Sequence, residues 1–216
     1  MDLTRAIDGY CERMGPGLLA EPANALTNVA FLVVALWLWR RSRGIERVLC
    51  AVLAAIGLGS GLFHTYAVAW AALADTIPIA VFILLYVFAA HRHFLGWSAP
   101  WSMLGVAAFV PYLVLAARGF AALPGFAISA AYWPVPLAIA GYGVWLSRDL
   151  PHVARGLWIG AAILSLSLVA RSLDAPLCDS LPLGTHFMWH LLNAVMLGWM
   201  IGVLRRQRLE RGGQGR

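Results

Sequence analysis

The sequence predicts an all-α membrane protein, a seven-transmembrane-helix bundle with its N-terminus outside and its C-terminus cytoplasmic. Three observations carry this. First, 61% of the 216 residues are hydrophobic and only 12% are charged, whereas a soluble domain is about 45–50% apolar and about 25% charged. Those numbers exclude a disordered chain, a coiled coil, a collagen and a secreted disulfide scaffold. Second, apolar runs of membrane-spanning length, about 17–25 residues, or close to it, recur along the chain. Third, the arginines between those runs are unequally shared between the two sides.

The runs fall at 24–40, 48–70, 74–90, 101–117, 126–146, 153–170 and 185–204. The third and fourth are short, and Pro134 and Pro136 interrupt the fifth. No strand-like alternation competes with a helical reading. The first run begins too late, and has the wrong flanks, for a cleaved signal peptide. Residues 1–23 are expected outside the membrane, 24–204 form the helical domain, and 205–216 read as a solvated basic cytoplasmic tail.

Arginine sets the direction. One side holds Arg40, Arg41, Arg43, Arg47, Arg92, Arg148, Arg155, Arg205, Arg206, Arg208, Arg211 and Arg216; the other holds Arg5, Arg13, Arg118 and Arg171. Positive residues stay on the cytoplasmic side, so the C-terminus is expected inside. All sixteen basic residues are arginine. Without lysine there is no Schiff base, no catalytic lysine and no Walker-type phosphate loop. With no aromatic-basic surface between the runs, no nucleic-acid partner is expected. An arginine-only basic set fits a GC-rich genome, so the expected location is a bacterial cytoplasmic membrane.

The acidic residues lie opposite. Asp2, Asp8, Glu12, Glu21, Asp75, Asp174 and Asp179 fall outside or at outer helix ends, while Glu46, Asp149 and Glu210 fall inside. That asymmetry points to a cation site near the outer face.

Ionisable residues within membrane runs are costly and are functional candidates by default. Ser60 and His64 lie four residues apart near the outer end of the second run, on one helical face. Asp75 opens the third run in Asp75-Thr76-Ile77-Pro78. His186 and His190 open the seventh, again four apart, a spacing that lets both imidazoles reach one metal. The predicted topology brings His64, Asp75, His186 and His190 to one depth. Three nitrogen ligands with an open fourth position are the arrangement of a catalytic zinc. Asp75 would then take a proton from water, and Ser60 would donate to a developing oxyanion. Two plainer readings stand beside this one: histidines satisfied within the core, and a haem bound through the His186/His190 pair. His91 and His93 flank Arg92 in an inner loop and read as solvated.

Asp8, Glu12 and Glu21 precede the first helix, with Asn24 and Asn28 just inside it. Such an oxygen-rich cluster suits a hard cation such as calcium, or is simply solvated. Cys11 and Cys178 share the outer side, where a disulfide is permitted in an oxidising compartment. Cys50 reads as a small buried hydrophobe.

Four motifs in order resemble the alkaline ceramidase family, seven-helix intramembrane zinc amidases distantly similar to the adiponectin and progestin receptors. They are Glu21-Pro22-Ala23-Asn24-Ala25-Leu26-Thr27-Asn28, the Ser60 to His64 element, Asp75-Thr76-Ile77-Pro78, and His186-Phe187-Met188-Trp189-His190. The resemblance implies zinc on His64, His186 and His190, and amide hydrolysis by Asp75 and Ser60. It also implies a regulatory calcium at Asp8, Glu12 and Glu21, and a bridge between Cys11 and Cys178. The segment departs from the family's calcium pattern, because Gly9 follows Asp8 while Arg13 and Met14 follow Glu12. The expected function is hydrolysis of the N-acyl bond of a ceramide-like membrane lipid. The alternative is a seven-helix lipid sensor with a structural zinc.

Overall fold

The structure is a computed structural model and describes residues 2–214. Its helices are α1 (Pro22–Thr27), α2 (Val29–Trp39), α3 (Ile45–Tyr66), α4 (Ala69–His93), α5 (Ala99–Ala121), α6 (Pro134–Leu146), α7 (Pro151–Leu173) and α8 (His186–Gln214). Among the described residues no strand forms; one isolated bridge joins Ala6 to Val68. Six spans are long and apolar enough to cross a membrane, counting α1 and α2 together, and α6 is a shorter apolar helix. The burial pattern agrees with a bilayer environment. Leu49, Leu53, Leu168, Ile201 and Leu204 fill the interior, while Leu36, Trp37, Trp101, Leu115 and Trp145 point outward.

Helix boundaries follow local chemistry. The expected run at 126–146 is not one helix: a short 3-10 turn, Ala127–Ser129, precedes α6, which starts at Pro134. Proline has no N–H to give a preceding turn, so it opens a helix more readily than it continues one. The first run divides at Asn28, between α1 and α2. Conversely α4 and α5 reach 25 and 23 residues, longer than their apolar runs, with Pro78 and Pro111 accommodated inside.

Two polar expectations are corrected. His91 is not solvated: it lies within α4, buried, with Nε2 2.5 Å from the Tyr142 hydroxyl and its ring against Trp97. Nor is the basic tail a loose stub. The last helix continues through it to Gln214, Gln207 is buried, and Arg208 pairs with buried Glu46 at 2.5 Å. Arg216 lies outside the described residues. Cys50 is buried and free, as expected.

The N-terminal segment is tied down at one end of the bundle. Ile7 donates to the carbonyl of Ala67, and Ala69 and Trp70 donate to Arg5 and Leu3, so the chain brackets the α3–α4 turn. A disulfide joins Cys11 to Cys178, with Cα atoms 5.4 Å apart. Asp174 completes the anchor. Its carboxylate accepts from the backbone N–H groups of Cys11, Thr185 and His186 at 3.0, 2.7 and 2.9 Å. It thereby satisfies amides at the start of α8, where the helix dipole also favours negative charge. Gly184 adopts a positive φ of 67°, and a Cβ there would run into Asp174 and Cys11.

Candidate metal centre

Three histidines from two helices converge on one point at this end of the bundle. His64 ends α3, and His186 and His190 occupy the first two turns of α8. All three are buried, at 1%, 2% and 1% exposure. One ligand nitrogen from each lies within 4.8 Å of the others. The ring centroids are 4.7 to 5.1 Å apart.

The hydrogen bonds explain why these nitrogens face each other. Glu21, the residue before α1, places a carboxylate oxygen 2.6 Å from His64 Nδ1. An ionised carboxylate only accepts, so His64 carries its proton on Nδ1 and Nε2 presents a lone pair. Thr27 lies 2.9 Å from His190 Nδ1. The Thr27 hydroxyl spends its own proton on the Ala23 carbonyl at 2.8 Å, so it accepts from His190, and His190 Nε2 also presents a lone pair. His64 Nε2, His190 Nε2 and His186 Nδ1 have no protein partner. Buried polar atoms without partners are rare and costly. Three in one cluster, each on an imidazole held by its neighbours, form a donor set of the kind that holds a metal ion.

Arg13 and Tyr10 complete the surroundings, and neither is singled out by the sequence. The Arg13 guanidinium lies 2.5 Å from the second oxygen of Glu21 and also donates to the carbonyls of Gly15, Gly17 and His64. Burial alone would raise the Glu21 carboxyl; hydrogen bonding and attraction to His64, then to Arg13, outweigh it and hold the group below the usual range. Tyr10 stacks on His186 at 3.7 Å, and burial pushes its phenol up to about 12. It is therefore a neutral apolar lid over one side of the cluster. No spacing rule flags either residue, since both act through contacts closed by the fold.

Ser60 and Asp75 lie beside the histidines. Gly59 makes this possible: a Cβ there would collide with the Ala74 carbonyl, so α3 and α4 touch at this point. Together with His190, both residues line the head of one cavity. Below them its wall is apolar, with Ile79, Phe82, Met196 and Met200, and it continues along α4 to Phe94. At about 1.5 Å per residue, the helix from Asp75 to Phe94 covers roughly 28 Å. That depth suits a lipid chain.

The acidic trio expected to bind calcium is not gathered around one point. Asp8 is exposed. Glu12 accepts from the amides of Ala23 and Asn24 at 2.6 and 2.8 Å and so caps α1. Glu21 is shared by His64 and Arg13.

No protein-family model matches the chain, and no curated protein matches it. Its chemistry therefore rests on its own residues.

Proposed function

We propose that the chain is a zinc-dependent intramembrane amidase cleaving the N-acyl bond of ceramide or a ceramide-like lipid. One observation carries the reading. Three partnerless imidazole nitrogens face a common point, next to a serine and an aspartate, at the head of an apolar cavity of lipid length. The motif resemblance to alkaline ceramidases supports the same chemistry.

His64, His186 and His190 would hold the ion. A bound zinc would supply Lewis acidity toward the amide carbonyl and ease ionisation of a water. Glu21 and Thr27 fix the imidazoles, so their lone pairs need no reorganisation on binding. Asp75 takes the proton of the attacking water and returns it to the leaving nitrogen as the C–N bond breaks. Ser60 donates to the carbonyl oxygen as negative charge develops there. The products are a fatty acid, its chain along the α4 cavity, and a long-chain amine. Tyr10 and the apolar wall exclude water from the rest of the site.

We place the histidine end outside and the C-terminus in the cytoplasm, with α6 as the seventh span, because positive residues favour the cytoplasmic side. Arg205, Arg206, Arg208 and Arg211 all lie beyond the cavity at the opposite end of α8.

The deciding experiment combines metal analysis with turnover of N-acyl lipids by the purified protein. About one zinc per chain, with fatty acid released and both lost in His186→Ala, is expected. Hydrolysis that survives His186→Ala sinks the proposal. Zinc and lipid binding without product would instead support the lipid sensor.

A further inference from the structure

A second cavity lies on the other side of Tyr10 and Phe63, walled by Ile7, Ile128 and Arg171. Arg171 belongs to α7, and its position is unusual. Its guanidinium lines this outer cavity while covering the rings of Tyr132 and Trp189, at 5.4 and 5.7 Å. Those two rings line the apolar cavity. Arg171 therefore stands between the two cavities. Tyr10 also lines the outer cavity, and it stacks on His186.

Among the described residues, no carboxylate lies within ion-pair distance of Arg171. Its Nη1 donates to the Ile128 carbonyl at 2.7 Å and to Ser129 Oγ at 3.1 Å. A guanidinium has five N–H groups, so these two bonds leave donors over. Asp174 lines the same cavity, but its oxygens already accept three backbone amides at the start of α8. Arg171 is the one cation among the residues lining this cavity, and Asp174 is its one carboxylate. An oxyanion at Arg171 would lie next to the Tyr132 and Trp189 rings that line the apolar cavity.

We propose that Arg171 anchors an oxyanion on the polar end of the lipid, so that the preferred ligands are N-acyl lipids whose amine portion bears a carboxylate or a phosphate. This rests on the amidase reading for the reaction, but not for the binding. Charge-assisted hydrogen bonds to guanidinium are about twice as strong as neutral ones and select for a planar oxyanion.

The test uses the full chain in detergent, loaded with zinc, and three lipids sharing one acyl chain: N-acylethanolamine, N-acylglycine and N-acylphosphoethanolamine. Binding is read by displacement of a fluorescent fatty amide, and turnover by released fatty acid. At least one anionic lipid is expected to bind about tenfold or more tightly than the neutral one; the tighter of the two identifies the head group. Arg171→Gln should bring that ratio close to one while leaving the affinity for the neutral lipid nearly unchanged, and Arg171→Lys should keep part of it. A purely structural role for Arg171 would weaken all three lipids alike and overturn the proposal. Equal binding of all three by the unaltered protein overturns it without any variant. If no lipid is hydrolysed but the ratio and its Arg171 dependence persist, the anion site stands and the amidase reading fails. If the neutral lipid is hydrolysed and Arg171→Gln changes nothing, the amidase stands and the anion site fails.

Discussion

Glu21 holds His64 from behind: its carboxylate oxygen lies 2.6 Å from Nδ1, and the ring's other nitrogen faces His186 and His190 without a protein partner. Such supports typically account for about 10–100-fold in metal affinity. Glu21→Gln is therefore expected to weaken zinc binding by about that factor, read by competition with a chromogenic chelator. Thr27→Val, which removes the acceptor for His190 Nδ1, should act in the same direction. Unchanged affinity in both variants would mean that the imidazoles are oriented by packing alone.

Asp75 and Ser60 should separate from the histidines by their phenotype. If Asp75 moves the proton, Asp75→Asn lowers kcat by about 10²–10⁴-fold while zinc stays near one per chain. Ser60→Ala, which loses a donor to the developing oxyanion, is expected to cost about 10²–10³-fold, again with zinc retained. Parallel loss of metal and rate in Asp75→Asn would make the aspartate part of the metal's support.

Much of this site is legible in the sequence because helices impose a period. The four-residue spacing of Ser60 and His64, and of His186 and His190, places each pair on one face. Alternating helix direction then brings both faces to one end. The supporting contacts are not legible, because they join residues far apart in sequence. Thr27 meets His190 across 163 positions, and Arg13 meets the His64 carbonyl across 51. His91 misleads for a related reason. Hydropathy ends the run at 90 because Arg92 is charged, but α4 continues to His93 and Tyr142 of α6 supplies the partner that lets His91 be buried. The apolar run at 126–146 shows the limit of composition. Apolar content alone does not say that Pro134 starts a helix.

The opposite end of the molecule offers a test of the continued α8. Glu46 is 1% exposed, while Arg208 is 31% exposed. Removing the arginine strands a buried carboxylate, whereas removing the carboxylate leaves a cation that water can reach. Arg208→Met is accordingly expected to destabilise by about 1–3 kcal/mol, and Glu46→Gln by less. The order of the two melting temperatures in detergent checks this; the reverse order would place the tail away from α3.

Cys11 and Cys178 close a loop of 167 positions, and such bridges typically contribute about 2–4 kcal/mol by restricting the unfolded chain. Cys11 also lies next to Tyr10, which covers His186, and next to Glu12, which caps α1. Cys178→Ser should thus lower the melting temperature and also weaken zinc binding, because the segment carrying Tyr10 and Arg13 loses its tether. A fall in melting temperature with zinc affinity intact would show that the hydrogen bonds around Asp174 hold the segment unaided.

Arg13 bears on calcium. A calcium ion requires several oxygen ligands at about 2.3–2.6 Å, yet both oxygens of Glu21 face Arg13 and His64, and both oxygens of Glu12 face backbone amides. Seating the ion there would mean displacing the guanidinium, which already supplies positive charge among Glu21 and the carbonyls of Gly15, Gly17 and His64. The melting temperature of the unaltered protein is therefore expected to respond little to added calcium or to a calcium-selective chelator. Arg13→Met leaves the Glu21 carboxylate and three carbonyls without their cation, so this variant should be less stable and should recover in part with millimolar calcium. A marked calcium response in the unaltered protein, absent in Glu12→Gln, would show instead that the ion and Arg13 are held side by side.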